Sequence, residues 1–252
     1  MSKIYDALRR MEKDEPRPEA RERRAPAQPA ASAISDSRAF VGMDEGFRRS
    51  LLNLKNAIDS EMKMKETRVV LFTSSARGEG TTTIVSSLAR VLALHDSQKS
   101  LLVDCALRDP VLHRLFGIPN EKGIAEYLAG RATLAEIVRT VEEGKLDLVT
   151  SGTLSGVAQP FFRSDTIGRF FKEVSPRYQY VLVDSSAVLE SPETPIIGSH
   201  TDGVVLVVHA AKTRREVISR AMLMVQKLDG RFIGTVLNRK PYYIPESVYR
   251  RM

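Results

Sequence analysis

From Arg68 onward, short runs that are apolar at nearly every position recur between segments with helical spacing: RVVLFTS (68–74), SLLVDCA (100–106), LDLVTSG (146–152), YQYVLVDSS (178–186), TDGVVLVVHA (201–210) and RFIGTVLN (231–238). A strand with one wet face alternates apolar and polar positions, whereas continuous apolarity asks for cover on both faces. The pattern predicts an α/β protein, a three-layer αβα sandwich around a mostly parallel central sheet. Between about Met43 and Met62, Phe47, Leu51, Leu54 and Ile58 fall on one side of a helix, and IVSSLARVLAL (84–94) predicts another. Residues 1–12 place Ile4, Tyr5, Leu8 and Met11 at helical spacing, an amphipathic helix with one apolar stripe for docking. Residues 13–42 hold Pro16, Pro18, Pro26 and Pro29 among small and charged residues, which predicts a linker without a core of its own. The expected division is therefore 1–12 helix, 13–42 linker, 43–240 folded domain and 241–252 tail.

Composition narrows the class without naming a function. A chain of 252 residues, 42% hydrophobic and 27% charged, suits one globular domain. No stretch approaches the roughly 18 uninterrupted apolar residues of a membrane span, and the charged start has no apolar signal region, so a cytoplasmic protein is expected. The single cysteine, Cys105, excludes an internal disulfide and reads as a small buried hydrophobe. The net charge of +7 is spread out: residues 1–36 carry eight Lys/Arg against seven Asp/Glu, and no nucleic-acid partner is expected.

The candidate chemistry begins where the first strand ends, in Thr73-Ser74-Ser75-Ala76-Arg77-Gly78-Glu79-Gly80-Thr81-Thr82-Thr83. Glycines let backbone N–H groups converge, and the N-terminus of the following helix adds a favourable field for an anion, so Gly78, Glu79, Gly80, Thr81, Thr82 and Thr83 are candidate nucleotide-binding residues. The hydroxyls of Thr82 and Thr83 suit a helix cap or an Mg²⁺ ligand. Against the pattern G-x-x-x-x-G-K-[ST], Thr81 stands at the lysine and Ser75 at the first glycine. Loss of one such preorganised cation commonly lowers phosphoryl transfer by ~10²–10³. Arg77 and Arg108 are nearby cations, neither at the motif position. Asp104 and Asp184 close two apolar strands, where an open parallel sheet places its ligand site; an Asp there also serves as an ordinary turn or cap residue.

In order and spacing, SLLVDCALRDPVLHRLFGI (100–118), GIAEYLAGRATLAEIV (123–138), YQYVLVDSSAVLESPET (178–194) and GTVLNR (234–239) resemble the bacterial tyrosine kinases (BY-kinases) of capsule and exopolysaccharide systems. Those proteins typically read LLIDADLRRPSLHKLFG and YDYVIIDTPPVL at the first and third of these segments. The resemblance covers residues 43 to 240 and implies a P-loop NTPase fold, ATP or ADP with Mg²⁺ as cofactors, and Thr82, Asp104 and Asp184 around the metal. It also implies that Arg108 and Asn238 contact the nucleotide, and that Tyr242, Tyr243 and Tyr249 are candidate phosphoacceptors. The departures are concentrated: Thr81 for the lysine, Ala106 for the second Asp, Ser186-Ala187 for the Pro-Pro, and Leu51 for the second arginine of an E-x-x-R-x-x-R assembly motif begun by Glu45 and Arg48.

The resemblance with these losses implies a catalytically impaired, kinase-like regulator or adaptor of polysaccharide synthesis and export. Its expected place is the inner face of the membrane, beside a membrane-anchored chain-length or co-polymerase protein, with self-association a further possibility and Leu51 counting against assembly into a ring. An active tyrosine autokinase and an ATP-switched partitioning or positioning ATPase are the alternatives. His113 is expected to pack or face solvent.

Overall fold

The computed structural model describes residues 43–95, 99–142, 145–153, 164–227 and 230–240. The expected helix 1–12, the linker 13–42 and the tyrosines Tyr242, Tyr243 and Tyr249 lie outside the described residues. The chain divides after Ser35 into two units, and every described residue belongs to the second.

The sheet has seven strands: β1 (Arg68–Ser74), β2 (Ser100–Asp104), β3 (Val138–Glu142), β4 (Leu146–Val149), β5 (Tyr180–Asp184), β6 (Gly203–His209) and β7 (Phe232–Asn238), in the order β3-β4-β2-β5-β1-β6-β7. All neighbours are parallel except β3 and β4, which are antiparallel. Eight α-helices are described: α1 (Glu45–Glu61), α2 (Thr81–His95), α3 (Leu112–Leu115), α4 (Ile124–Leu128), α5 (Leu134–Ile137), α6 (Ser164–Val174), α7 (Glu193–Gly198) and α8 (Arg215–Gln226).

The two-sided burial expected from the apolar runs is seen residue by residue. Val69 and Leu71 of β1 pack with Ile167 and Phe170 of α6, Ile197 of α7 and Ala221 of α8 in one core. Their alternates Val70 and Phe72 pack with Leu51 and Ile58 of α1 and with Val85 and Leu88 of α2 in another. Successive strand side chains point to opposite faces, so a run must be apolar throughout when both faces are covered.

Helix α1 starts at the cap Asp44, whose carboxylate accepts the Phe47 N–H at 3.2 Å. Its last turn is fixed to the sheet by Asp59, which accepts from the Tyr180 hydroxyl and pairs with Lys55 at 2.8 Å and Arg68 at 3.0 Å. Leu51, where the assembly motif has its second arginine, is only 2% exposed and belongs to the core, so the helix presents no cation there. Glu45 and Arg48 pair with each other at 3.5 Å.

Two elements differ from expectation. Helix α2 begins at Thr81, three residues before the apolar run, because a first turn leaves its N–H groups without intrahelical acceptors and tolerates polar residues. Strand β3 was not expected. It is an edge strand of mixed burial, so its sequence carries no continuous apolar run.

Candidate functional site

The C-terminal ends of β1, β2 and β5 are adjacent in the sheet, and the side chains predicted from sequence converge there. Asp104 and Asp184 are direct partners in the register of β2 and β5, and both are buried. The Thr82 hydroxyl, in the first turn of α2, donates to Asp184 Oδ2 at 2.7 Å. Asp184 Oδ1 is buried without a hydrogen-bond partner. Asp104 is better satisfied: Oδ1 accepts the Ala106 N–H at 3.1 Å and Oδ2 the Leu112 N–H at 3.2 Å. It therefore also holds the turn that leads into α3, as the plain turn-residue reading of a strand-end Asp requires.

Burial is the first cause acting on both acids. It raises the Asp104 carboxyl to about 6, against the backbone N–H groups of Ala106, Leu112 and Val111, with a further push from Asp109. Burial and then the neighbouring Asp104 drive Asp184 well above the carboxylate range, against the Thr82 hydroxyl and the Ser185 N–H. Two carboxylates side by side in a dry site ionise together only if a cation joins them.

That donor set fits Mg²⁺. Two carboxylates and a hydroxyl offer oxygen alone, and Mg²⁺ is ordinarily held by one or two carboxylates, with waters and phosphate oxygens completing its shell. The orphaned Asp184 Oδ1 supplies an acceptor in need of such a partner. Among the described residues no group of three His, Cys, Asp or Glu side chains gathers as a metal cage.

On the phosphate side the loop is built but its lysine is gone. Gly78 and Gly80 have φ of 80° and 95°, conformations that suit glycine. Thr81 opens α2 and is buried, and its short neutral side chain brings no charge to the loop. Glu79, a candidate nucleotide-binding residue, turns its carboxylate inward. Oε2 accepts the Ser75 N–H at 2.7 Å, the Ser75 hydroxyl at 2.8 Å and the Ala76 N–H at 3.1 Å. Oε1 accepts the His209 N–H at 3.3 Å and the Thr213 hydroxyl. Burial alone would raise this carboxyl, yet these donors hold it below the usual range. Glu79 thus braces the first half of the loop against the β6–α8 turn, leaving the N–H groups of the α2 first turn as the anion-facing set.

The remaining predicted residues are placed as follows. Asn238, at the end of β7, donates to the Glu79 carbonyl at 2.8 Å and accepts the Arg239 N–H at 2.8 Å, so its side chain shapes the loop and the turn. Arg108 is exposed, 3.8 Å from Glu193, and is not drawn to the acid pair. Thr83 is exposed. Ser186 and Ala187, in place of Pro-Pro, are held by hydrogen bonds instead of ring stiffness: the Thr73 and Thr194 hydroxyls both donate to the Ser186 carbonyl, at 2.8 and 3.1 Å. His113 is half-buried and Cys105 is buried, with its thiol pushed well up by burial and by the two acids.

The close fit of Asn238 against the loop yields a prediction. A Cβ on Gly80 would overlap Asn238 Nδ2. Gly80→Ala is expected to lower the unfolding free energy by about 1–3 kcal/mol. In an Asn238→Ala background the same change should do less, since the obstruction is gone; equal losses in both backgrounds, measured by urea unfolding, would refute the contact.

No protein-family model matches the chain. Individual relatives do. It is 29% identical over 197 residues, 78% of its length, to tyrosine-protein kinase YwqD of Bacillus subtilis, covering 81% of that protein. Over 185 residues it is 26% identical to tyrosine-protein kinase etk of Escherichia coli, but spans only 25% of that longer chain. The solved BceF tyrosine kinase domain superposes with a TM-score of 0.69 at 26% identity, covering 77% of this chain and 78% of that one. The chain is a homologue of the bacterial tyrosine kinases. Its fold is the P-loop NTPase fold, and the acid pair and α2 first turn of this kinase homologue stand at the strand ends where that fold binds its ligand. Sequence reading named Glu79 only as a candidate nucleotide-binding residue; the bracing role of its carboxylate emerges once the β6–α8 turn is folded against it.

Proposed function

We propose that the protein is a kinase-fold regulator of exopolysaccharide or capsule synthesis and export that binds Mg²⁺–nucleotide and transfers phosphoryl groups slowly or not at all. One observation carries this reading: Asp104 and Asp184 are register partners, with the Thr82 hydroxyl on Asp184 Oδ2 and Asp184 Oδ1 unsatisfied, while the phosphate side has the buried, neutral Thr81 where the transferring cation belongs. Thr82, Asp104 and Asp184 would hold Mg²⁺, directly or through water. When bound, the ion would neutralise phosphate charge and so permit both acids to ionise. The first-turn N–H groups of α2 would bind the phosphate oxygens, and Gly78 and Gly80 let the backbone approach them. Nothing at position 81 follows charge onto the leaving oxygens, which separates binding from rate.

Within such a system, the reading assigns the membrane anchor to a chain-length or co-polymerase partner at the inner membrane face; among the described residues no helix is long and apolar enough to cross a membrane. Calorimetric titration of the full chain with Mg-ATP and Mg-ADP is the test. A Kd on the order of 1–100 µM is expected; absence of heat with both nucleotides at about 1 mM would remove the nucleotide from the proposal. The intact acid pair also favours a second reading, an active autokinase. Phosphotyrosine formed on Tyr242, Tyr243 or Tyr249 by the purified chain, and lost in Asp184→Ala, would establish that reading in place of the first.

A further inference from the structure

Two charged side chains at the rim of the site stand close in sequence to the two positions where the motifs' charges are lacking. The phosphate loop has lost a cation at Thr81 and the β2 turn has lost a carboxylate at Ala106. Four residues before Thr81 stands Arg77, and three residues after Ala106 stands Asp109, and the two form an ion pair that joins the phosphate loop to the turn after β2. Asp109 occupies the place of the second arginine in the LRRP stretch of the resembling kinases, so the sign of that position is reversed opposite a cation.

Both residues are held by backbone contacts that leave their side chains at the surface. The Arg77 N–H donates to Glu190 Oε1 at 3.2 Å, and the Asp109 N–H to the Ala106 carbonyl at 3.0 Å. The side chains are 69% and 61% exposed. Asp109 is near enough to the acid pair for its charge to be felt at Asp104. The other arginine at this rim, Arg108, faces Glu193 instead.

We propose that Arg77 is the phosphate-binding cation of this protein and Asp109 its latch, a carboxylate that holds the guanidinium while no nucleotide is present and gives it up when phosphate takes it. The proposal rests on the nucleotide-binding reading above. An ion pair this exposed contributes little to stability and opens readily. A guanidinium on a phosphate makes paired, charge-assisted hydrogen bonds, which are stronger than those it leaves. Phosphate and Asp109 therefore compete for one cation, and phosphate prevails. An arginine on the loop itself, unlike a lysine aimed from the helix start, serves binding better than it follows the transferring group, in keeping with a protein that senses nucleotide.

The test is calorimetric titration of the full chain with ATP, in Mg²⁺ and in EDTA, for wild type, Arg77→Ala, Arg77→Lys, Asp109→Asn and the exchange variant Arg77→Asp/Asp109→Arg, with thermal midpoints recorded. Arg77→Ala is expected to weaken Mg-ATP about tenfold, and Arg77→Lys to weaken it less, since the charge stays while the paired geometry is lost. Asp109→Asn is expected to tighten ATP by about threefold in EDTA, since the competitor for the guanidinium is gone. The exchange variant should keep the wild-type midpoint yet bind as poorly as Arg77→Ala. Wild-type affinity in Arg77→Ala and in the exchange variant would overturn the proposal and leave a rim bridge between two loops, with the nucleotide reading intact. Binding by Thr81→Lys alone would likewise overturn it while preserving the site, whereas no binding by wild type or Thr81→Lys would overturn both.

Discussion

Asp184→Asn is expected to make the nucleotide-free protein more stable at pH 8, by about 1–3 kcal/mol, while abolishing its response to Mg²⁺. Asp104 and Asp184 are register partners, buried together, with Asp184 Oδ1 lacking any donor. A folded-state pKa raised above the unfolded value means that the folded protein holds its proton more tightly. Stability is then greatest below the unfolded pKa and is lost as pH rises through the folded one. For Asp104 that window opens near its ordinary value of 3.8 and closes near 6, and for Asp184, whose carboxyl is driven well above the carboxylate range, it extends higher. Wild type should accordingly lose stability between pH 5 and pH 8, and the asparagine variant should lose less over the same range. The amide keeps an oxygen to accept the Thr82 hydroxyl and removes the buried charge. Urea unfolding at pH 5, 6.5 and 8, with and without about 10 mM Mg²⁺, is the measurement. A variant less stable than wild type at pH 8, or a wild type indifferent to Mg²⁺, would show that the acid pair is not a site held open for a cation.

The second large effect is expected from Thr81→Lys. Position 81 is the first residue of α2, beside Gly80 and among the N–H groups that face the anion. An ammonium there adds to ground-state binding, but its greater effect falls where charge builds on the transferring oxygens. ATP turnover, by hydrolysis or by transfer to tyrosine, should rise by ~10²–10³, with a gain in Mg-ATP affinity of about tenfold or less. Radiolabelled phosphate release and phosphotyrosine formation, followed beside an Asp184→Ala control, would measure it. Affinity gained without rate would mean that Ala106 or the missing assembly arginine limits transfer. No change in either would mean that the loop does not present position 81 to the phosphates.

Which parts of this were legible beforehand follows from the range of the forces involved. The layered α/β fold was visible because each buried strand satisfies two cores at once, and that requirement is written into consecutive residues such as Val69, Val70, Leu71 and Phe72. Asp104, Asp184 and Thr82 were candidates because each ends or begins an element whose pattern is local. Strand β3 was not legible: an edge strand of mixed burial has no continuous apolar run, and its pairing is decided by β4.

The sequence by itself determined the architecture, the order of the strands' motifs and the list of chemical losses, since these depend on residue type and spacing along the chain. Only the tertiary structure decided what the surviving groups do. It set Asp104 against Asp184 in adjacent strands, so that burial raises both and the charge of Asp104 raises Asp184 further. It turned Glu79 inward onto Ser75, Ala76, His209 and Thr213, placed Leu51 in the core, and paired Arg77 with Asp109 across two loops. Hydrogen bonds and charges act through space over a few ångströms, and residues 75 and 209, or 77 and 109, become neighbours only once the sheet has brought the ends of its strands together.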